Sequence, residues 1–207
     1  MEQMQQKRRV NYESASIPYG RICLKLGLTP NVLTFISFGV SVGAAVLYWQ
    51  GFLLWGAVAT LITMLTDMLD GATARAGNCG TTFGGILDHV SDRYAEAAIL
   101  LGVAAYGFTS GNVNPVWAMF ALFGMIIASY TREAAESQGK IDNVAVGAVG
   151  RLEKLIILML GSAAEFFFPG YNLLTYSLIV IGILSYITSI QRLFYARKIL
   201  NERENDL

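Results

Sequence analysis

Charge is scarce in this chain. Only 14% of its 207 residues are Asp, Glu, Lys or Arg, against roughly 25% in soluble domains, too few to cover a water-facing surface. Histidine occurs once, as His89, and cysteine twice, as Cys23 and Cys79. That leaves no Cys/His metal spacing and no disulfide framework, and both thiols are expected to stay reduced. There is no internal repeat and no low-complexity tract. Lys plus Arg equals Asp plus Glu at 15 each, so net charge gives no support to a nucleic-acid partner. The polar, basic start MEQMQQKRRVNYES is not followed directly by an apolar core, which makes it a poor signal peptide.

Apolar residues fill the chain instead. It is 54% hydrophobic, with a mean hydropathy of +0.48, and several runs reach about 18 or more residues without a charge. The pattern predicts about six spanning helices, at roughly 31–49, 52–75, 82–107, 115–136, 148–168 and 172–196. Before them the stretch SASIPYGRICLKLG, about 14–27, sets Arg21 and Lys25 among apolar residues and is expected to lie along the interface. The expected fold is an all-α integral membrane bundle of six transmembrane helices with an N-terminal amphipathic interfacial helix. Residues 1–30 form the cytoplasmic N-terminus and interfacial helix, 31–198 the membrane domain and 199–207 a cytoplasmic tail.

Orientation follows from Lys and Arg. The connections near Gln50–Gly51, 108–114 and 168–172 contain neither. Lys7, Arg8, Arg9, Arg21 and Lys25 precede the first span, Arg75 and then Arg132 and Lys140 lie at two connections, and Arg197, Lys198 and Arg203 close the chain. Both termini and these two connections are therefore expected in the cytoplasm of a multi-pass cell-membrane protein. Trp49, Trp55 and Trp117 fall near the expected outer ends.

Against this background the stretch DMLDGATARAGNCGTTFGGILDHVSD, residues 67–92, stands out. Asp67, Asp70, Gly71 and Ala74 share one helix face, and Gly84, Asp88 and Asp92 line up on the next helix. Gly77 and Gly80 suit a tight reversal between them, so the two helices are expected to pack antiparallel with these faces together. Small residues there permit close approach of backbone or ligand. Four converging carboxylates at a membrane boundary repel one another unless cations are present. Oxygen ligands suit one or two Mg²⁺, Mn²⁺ or Ca²⁺ ions, and Mg²⁺ usually shares its shell with phosphate oxygens, which points to a phosphate-containing substrate. A divalent-cation channel would also place carboxylates in a bundle, yet the outer halves of the helices offer no polar line.

The stretch resembles the signature of the CDP-alcohol phosphotransferase family, D-x2-D-G-x2-A-R-x8-G-x3-D-x3-D. Every fixed position is present: Asp67, Asp70, Gly71, Ala74, Arg75, Gly84, Asp88 and Asp92. The segment TPNVLT, residues 29–34, is similar to the one that opens the family's first helix. The resemblance implies an Mg²⁺-dependent transferase of phospholipid biosynthesis, with two Mg²⁺ (or Mn²⁺) ions. An alcohol hydroxyl attacks the β-phosphate of a CDP-linked lipid, CDP-diacylglycerol or CDP-archaeol, and CMP leaves. It implies Asp67, Asp70, Asp88 and Asp92 as metal ligands and Asp92 also as general base. Gly71, Ala74, Arg75 and Thr81 would hold the nucleotide, Asn31 and Thr34 would approach the pyrophosphate, and the chain would be a homodimer.

For the acceptor, Arg132, Arg151 and Lys154 are expected at the depth of the aspartates, joined by Arg192, as a pocket for a phosphate monoester. The segments SYTREAAE and GRLEKLII resemble those of the subgroup that transfers to inositol 1-phosphate, the phosphatidylinositol-phosphate and archaetidylinositol-phosphate synthases. Arg132 stands where that pattern has Lys. A glycerol 3-phosphate acceptor, as in phosphatidylglycerophosphate synthases, is the rival.

Overall fold

The computed structural model describes residues 16–141, 144 and 146–205. Lys7, Arg8 and Arg9, and the first two residues of the expected interfacial stretch, lie outside them. The described chain is all helical. A short helix α1 (16–25) is followed by α2 (Pro30–Trp49), α3 (Leu53–Gly77), α4 (Thr82–Ser110), α5 (Pro115–Ser137), α6 (Arg151–Phe167) and α7 (Leu173–Asn205).

Local chemistry sets these boundaries. Thr29 caps α2 by accepting the Val32 N–H at 3.4 Å, and Pro30 then occupies a position where its missing N–H is no loss. Asn114 and Pro115 repeat the device at α5, with the Val116 N–H 3.0 Å from Asn114 Oδ1. At the end of α3 the left-handed residue is Asn78, at φ 47°, where Gly77 and Gly80 were the expected turn residues. The Cys79 N–H bonds the Ala74 carbonyl at 3.1 Å and the Asn78 N–H bonds that of Arg75 at 3.3 Å. Both carbonyls at the helix end are thereby satisfied, and asparagine tolerates the conformation better than other side chains do.

Among the described residues four helices are long and apolar enough to cross a membrane: α2, α3, α5 and α7. The other two expected spans fall short for visible reasons. Helix α4 carries Asp88, Asp92, Arg93 and Glu96 within 29 residues, and α6 has only 17 and begins Arg151-Leu-Glu153-Lys154. Helix α6 starts three residues later than expected, because 146–150 is irregular chain. Helix α7 runs past 198 to Asn205, through the expected tail.

Helices α2 to α7 close into a ring in the order α2, α3, α6, α7, α5, α4, each packed on two neighbours. Association in hydrocarbon depends on close packing more than on exclusion of water, and small residues sit at the seams. A Cβ on Gly102 of α4 would overlap the Ala45 carbonyl of α2, and one on Gly182 of α7 would overlap Phe120 of α5. The core inside the ring, with Tyr48, Ile99, Leu100, Val103, Leu158, Leu178 and Ile181 almost fully buried, occupies the half towards the connections 50–52, 111–114 and 168–172. Phe35, Ile36, Trp55, Leu65, Leu101 and Phe123 face outward, as expected of a surface that meets lipid. The expected packing of α3 directly on α4 is not what forms. Each makes its extensive contacts with α2, and α3 also packs on α6 and α4 on α5. The two helices are therefore held apart, and the half of the ring opposite the core stays open.

Candidate active site

The carboxylates converge in that open half. Oxygen atoms of Asp67, Asp70 and Asp88 all lie within 4.8 Å of one another. Asp70 is the deepest, at 5% exposure, and Thr34 of α2 donates to its Oδ2 at 2.8 Å. Among the described residues no lysine or arginine pairs with Asp70 or Asp88. Three hard oxygen donors at this spacing, with negative charge left over, suit a divalent cation and suit little else.

Asp92 stands one turn further along α4 and faces a different partner. Arg151, at the start of α6, places Nη1 2.8 Å from Asp92 Oδ1 and 2.7 Å from Asp67 Oδ2. Its Nε donates to Glu96 Oε1 at 3.1 Å. Arg93 adds Nη2 at 3.5 Å from Asp92 Oδ2 and Nη1 at 3.1 Å from Glu96 Oε2, and that Nη1 also donates to Ser129 of α5. Arg151 is thus tied into the aspartate cluster as well as bordering the cavity beside it.

The residues around the α3–α4 turn are close-fitted. Thr81 spends its oxygen as the cap of α4, accepting the Gly84 N–H at 2.9 Å. A Cβ on Gly84 would lie 3.0 Å from that oxygen and 3.2 Å from Asn31 Oδ1, so α2, the turn and α4 meet there without room for a side chain. Gly71 leaves the space that the Arg75 guanidinium lies across, and Arg75 Nη2 donates to Ser16 of α1 at 3.2 Å. Helix α1 rests on α3 through Gly20, whose missing side chain admits the Ala72 carbonyl. Asn31 and Thr81 thus meet around Gly84, Arg75 lies across Gly71, Ala74 faces Gly80 across the turn, and Thr34 is buried against Asp70.

On the other side of Asp92 a cavity of about 740 Å³ opens between α4, α5, α6 and α7. Arg132, Arg151, Lys154 and Arg192 all line it, together with Asp92 and Arg93. Their engagements differ. Lys154 is buried at 4% exposure. Arg132 is held by Glu136, Nε to Oε1 at 2.9 Å, and the same oxygen accepts the Val144 N–H. Arg192 braces the α5–α6 connection, donating Nε to the Val146 carbonyl at 2.9 Å and Nη1 to that of Ala128 at 2.5 Å. Two further residues line it without an expected part in the site: Glu96, which continues the four-residue spacing 84, 88, 92, and Arg93, which lies against Glu96 Oε2. That spacing was the available signal.

Known proteins match this arrangement along most of its length. The chain is 34% identical over 195 residues to a phosphatidylinositol phosphate synthase of Mycolicibacterium smegmatis, covering 91% of this chain and 86% of the relative. It is 36% identical over 180 residues to an archaetidylinositol phosphate synthase of Pyrococcus horikoshii, covering 86% and 89%. Among solved structures, the Mycobacterium tuberculosis phosphatidylinositol phosphate synthase with CDP-DAG bound superposes with a TM-score of 0.77 at 32% identity, covering 87% of this chain and 92% of that one. The same enzyme in complex with manganese and citrate gives 0.75 at 31% identity, covering 87% and 88%. The sequence model of CDP-alcohol phosphatidyltransferases spans residues 27–191, which takes in the aspartates, the turn and every residue lining the basic cavity except Arg192, and the chain belongs to that family of transferases.

Proposed function

We propose that this protein transfers the phosphatidyl or archaetidyl group of a CDP-linked lipid to inositol 1-phosphate, releasing CMP. The observation that carries the reading is the position of Asp92, on the boundary between a three-carboxylate cluster and a cavity lined by Arg132, Arg151, Lys154 and Arg192. A base at that boundary can serve an acceptor whose hydroxyl points at the cluster while its phosphate is held by the cations.

Asp67, Asp70 and Asp88 would hold divalent cations, taken here as two Mg²⁺ or Mn²⁺, and Asp92 is the further ligand. Bound metal supplies charge neutralisation to the pyrophosphate oxygens. Gly71, Ala74, Arg75 and Thr81 receive the cytidine nucleotide, and Asn31 and Thr34 border its pyrophosphate. Asp92 takes the proton from the acceptor hydroxyl as its oxygen bonds to the β-phosphorus, and the bond to CMP breaks. Arg151, with Nη1 already against Asp92, keeps that carboxylate aimed and lines the cavity that receives the acceptor phosphate.

The membrane setting belongs to the same proposal. Helices α4 and α6 span with the four apolar helices, giving six crossings. The site and both termini face the cytoplasm of the cell membrane, α1 lies in the interface with residues 1–30, 31–198 form the catalytic domain, and the chain works as a homodimer. The Lys and Arg asymmetry between the two sets of loops supports this orientation. The test is CMP release by the purified chain, with CDP-diacylglycerol or CDP-archaeol and, in separate reactions, inositol 1-phosphate, glycerol 3-phosphate, serine or inositol. Release with inositol 1-phosphate alone is expected. Release with glycerol 3-phosphate alone would replace the acceptor, and release with none would overturn the reading.

A further inference from the structure

One buried carboxylate in the site is neither a metal ligand nor the base in the transfer proposed above. Glu96 lies one turn beyond Asp92 on α4 and is 1% exposed, the most deeply buried acid among the described residues. Its Oε1 accepts from Arg151 Nε at 3.1 Å. Its Oε2 lies 3.1 Å from Arg93 Nη1, yet among the described residues it accepts no hydrogen bond, so that contact is charge attraction without alignment. Burying an ion costs several kcal/mol even after relaxation, and two arginines exceed what one carboxylate needs for neutrality.

The geometry shows what the charge accomplishes. A guanidinium is a rigid planar fork, so gripping it at Nε fixes the direction of both terminal nitrogens. With Glu96 on Nε, Arg151 Nη1 is turned onto Asp67 and Asp92 at 2.7 and 2.8 Å. The second arginine on Glu96, Arg93, reaches the other oxygen of Asp92 from within α4. The two cations flanking Asp92 are thus both set from behind by one buried acid.

We propose that Glu96 is a positioning residue for the transfer: through Arg151 it sets the orientation of Asp92 and of the cationic wall that receives the acceptor phosphate. This rests on the reading of the site given above. Glu96 borders the acceptor cavity, but it is 1% exposed and both its oxygens are turned to arginines, so its removal should tell on the acceptor and on turnover and leave the CDP-lipid side untouched.

The experiment is a double-mutant cycle on the full chain in proteoliposomes, with Glu96→Gln, Arg151→Ala and the pair. Each is assayed with whichever of inositol 1-phosphate and glycerol 3-phosphate releases CMP from the wild type. A wrong acceptor assignment then shows in the wild type, and a wrong role for Glu96 shows in the variants. Glu96→Gln keeps the size and one acceptor oxygen and removes the charge. It is expected to lower kcat/KM for the acceptor by about 10- to 100-fold, as loss of a supporting partner behind a functional ligand commonly does. KM for the CDP-lipid should stay within about twofold. If Glu96 acts through Arg151, the pair should be no worse than Arg151→Ala alone, within about threefold. Losses that multiply, a CDP-lipid KM that rises in step, or wild-type turnover in Glu96→Gln would each overturn the proposal. Should Glu96→Gln not fold, Glu96→Asp, which keeps the charge and shortens its reach, must show the same acceptor-selective loss, and an equal loss for both substrates sinks the idea.

Discussion

At the scale of single residues, neighbouring carboxylates on the same helices have different partners. Asp70 is buried against a neutral hydroxyl, whereas Asp92 is set between guanidiniums. On the proposed roles Asp70 holds metal alone, whereas Asp92 adds proton transfer to a ligand's part, so the two should fail differently. Asp92→Asn keeps the shape and removes the base, so turnover should fall by about 10²- to 10⁴-fold, the usual share of a general base, while CDP-lipid binding persists. Rate measurement beside a binding isotherm for the CDP-lipid checks this, and turnover at the wild-type level would remove the assignment. Thr34→Val deletes the hydroxyl on Asp70 Oδ2 and nothing larger. The Mn²⁺ concentration needed for half-maximal CMP release should rise about tenfold, with saturated turnover little changed. An unaltered metal titration would show that Thr34 serves packing alone.

The residue scale also marks the limit of reading by spacing. Positions 67, 70, 71 and 74, and 84, 88 and 92, are legible as two faces because a helix repeats every 3.6 residues. Glu96 obeys the same repeat but sits in a run that reads as membrane core, and only its partners on α4 and α6 reveal a use. Arg192 lies in the expected region, yet its Nε and Nη1 serve backbone carbonyls of α5 and the α5–α6 connection. Which hydrogen bonds an arginine makes depends on where other segments bring their carbonyls, and no local pattern encodes that.

At the scale of elements, the instructive feature is the separation of α3 and α4. A four-residue turn between two small-residue faces suggests direct packing, but α2 is the common neighbour of both. The backbones of α2 and α4 come close at Gly102 and Ala45, on the core side of the ring. Tight packing there, with α2 between the two helices, leaves the aspartate end open for ligands. Gly102→Ala places a Cβ against the Ala45 carbonyl and should destabilise by about 1–3 kcal/mol, the usual cost of overpacking. Thermal unfolding in detergent reads this as a lower midpoint, and an unchanged midpoint would mean that α2 and α4 can separate freely.

For the whole molecule, the ring divides into a packed half and an open half, and the carboxylate cluster and the basic cavity lie in the open one. If the open half faces the cytoplasm, the exposed Cys79 on the α3–α4 turn within the motif faces it too, whereas Cys23 is buried. A membrane-impermeant maleimide should label the protein in inside-out vesicles and leave it unlabelled in intact cells, with Cys79→Ser abolishing the signal. Labelling in intact cells would invert the orientation and place CMP release on the wrong side of the membrane.

The sequence by itself determined the all-helical class, the apolar surface, the family signature and the faces on which the aspartates sit. Each of these is written in composition or in a repeat within one helix, so it survives without knowledge of neighbours. The tertiary structure decided which faces meet. It placed α2 between α3 and α4, split Asp92 from the three-carboxylate group, turned Arg151 towards the acids, and put Glu96 behind it. Those outcomes depend on side chains from three or four helices competing for the same space and charge, and that competition is settled only when the ring closes.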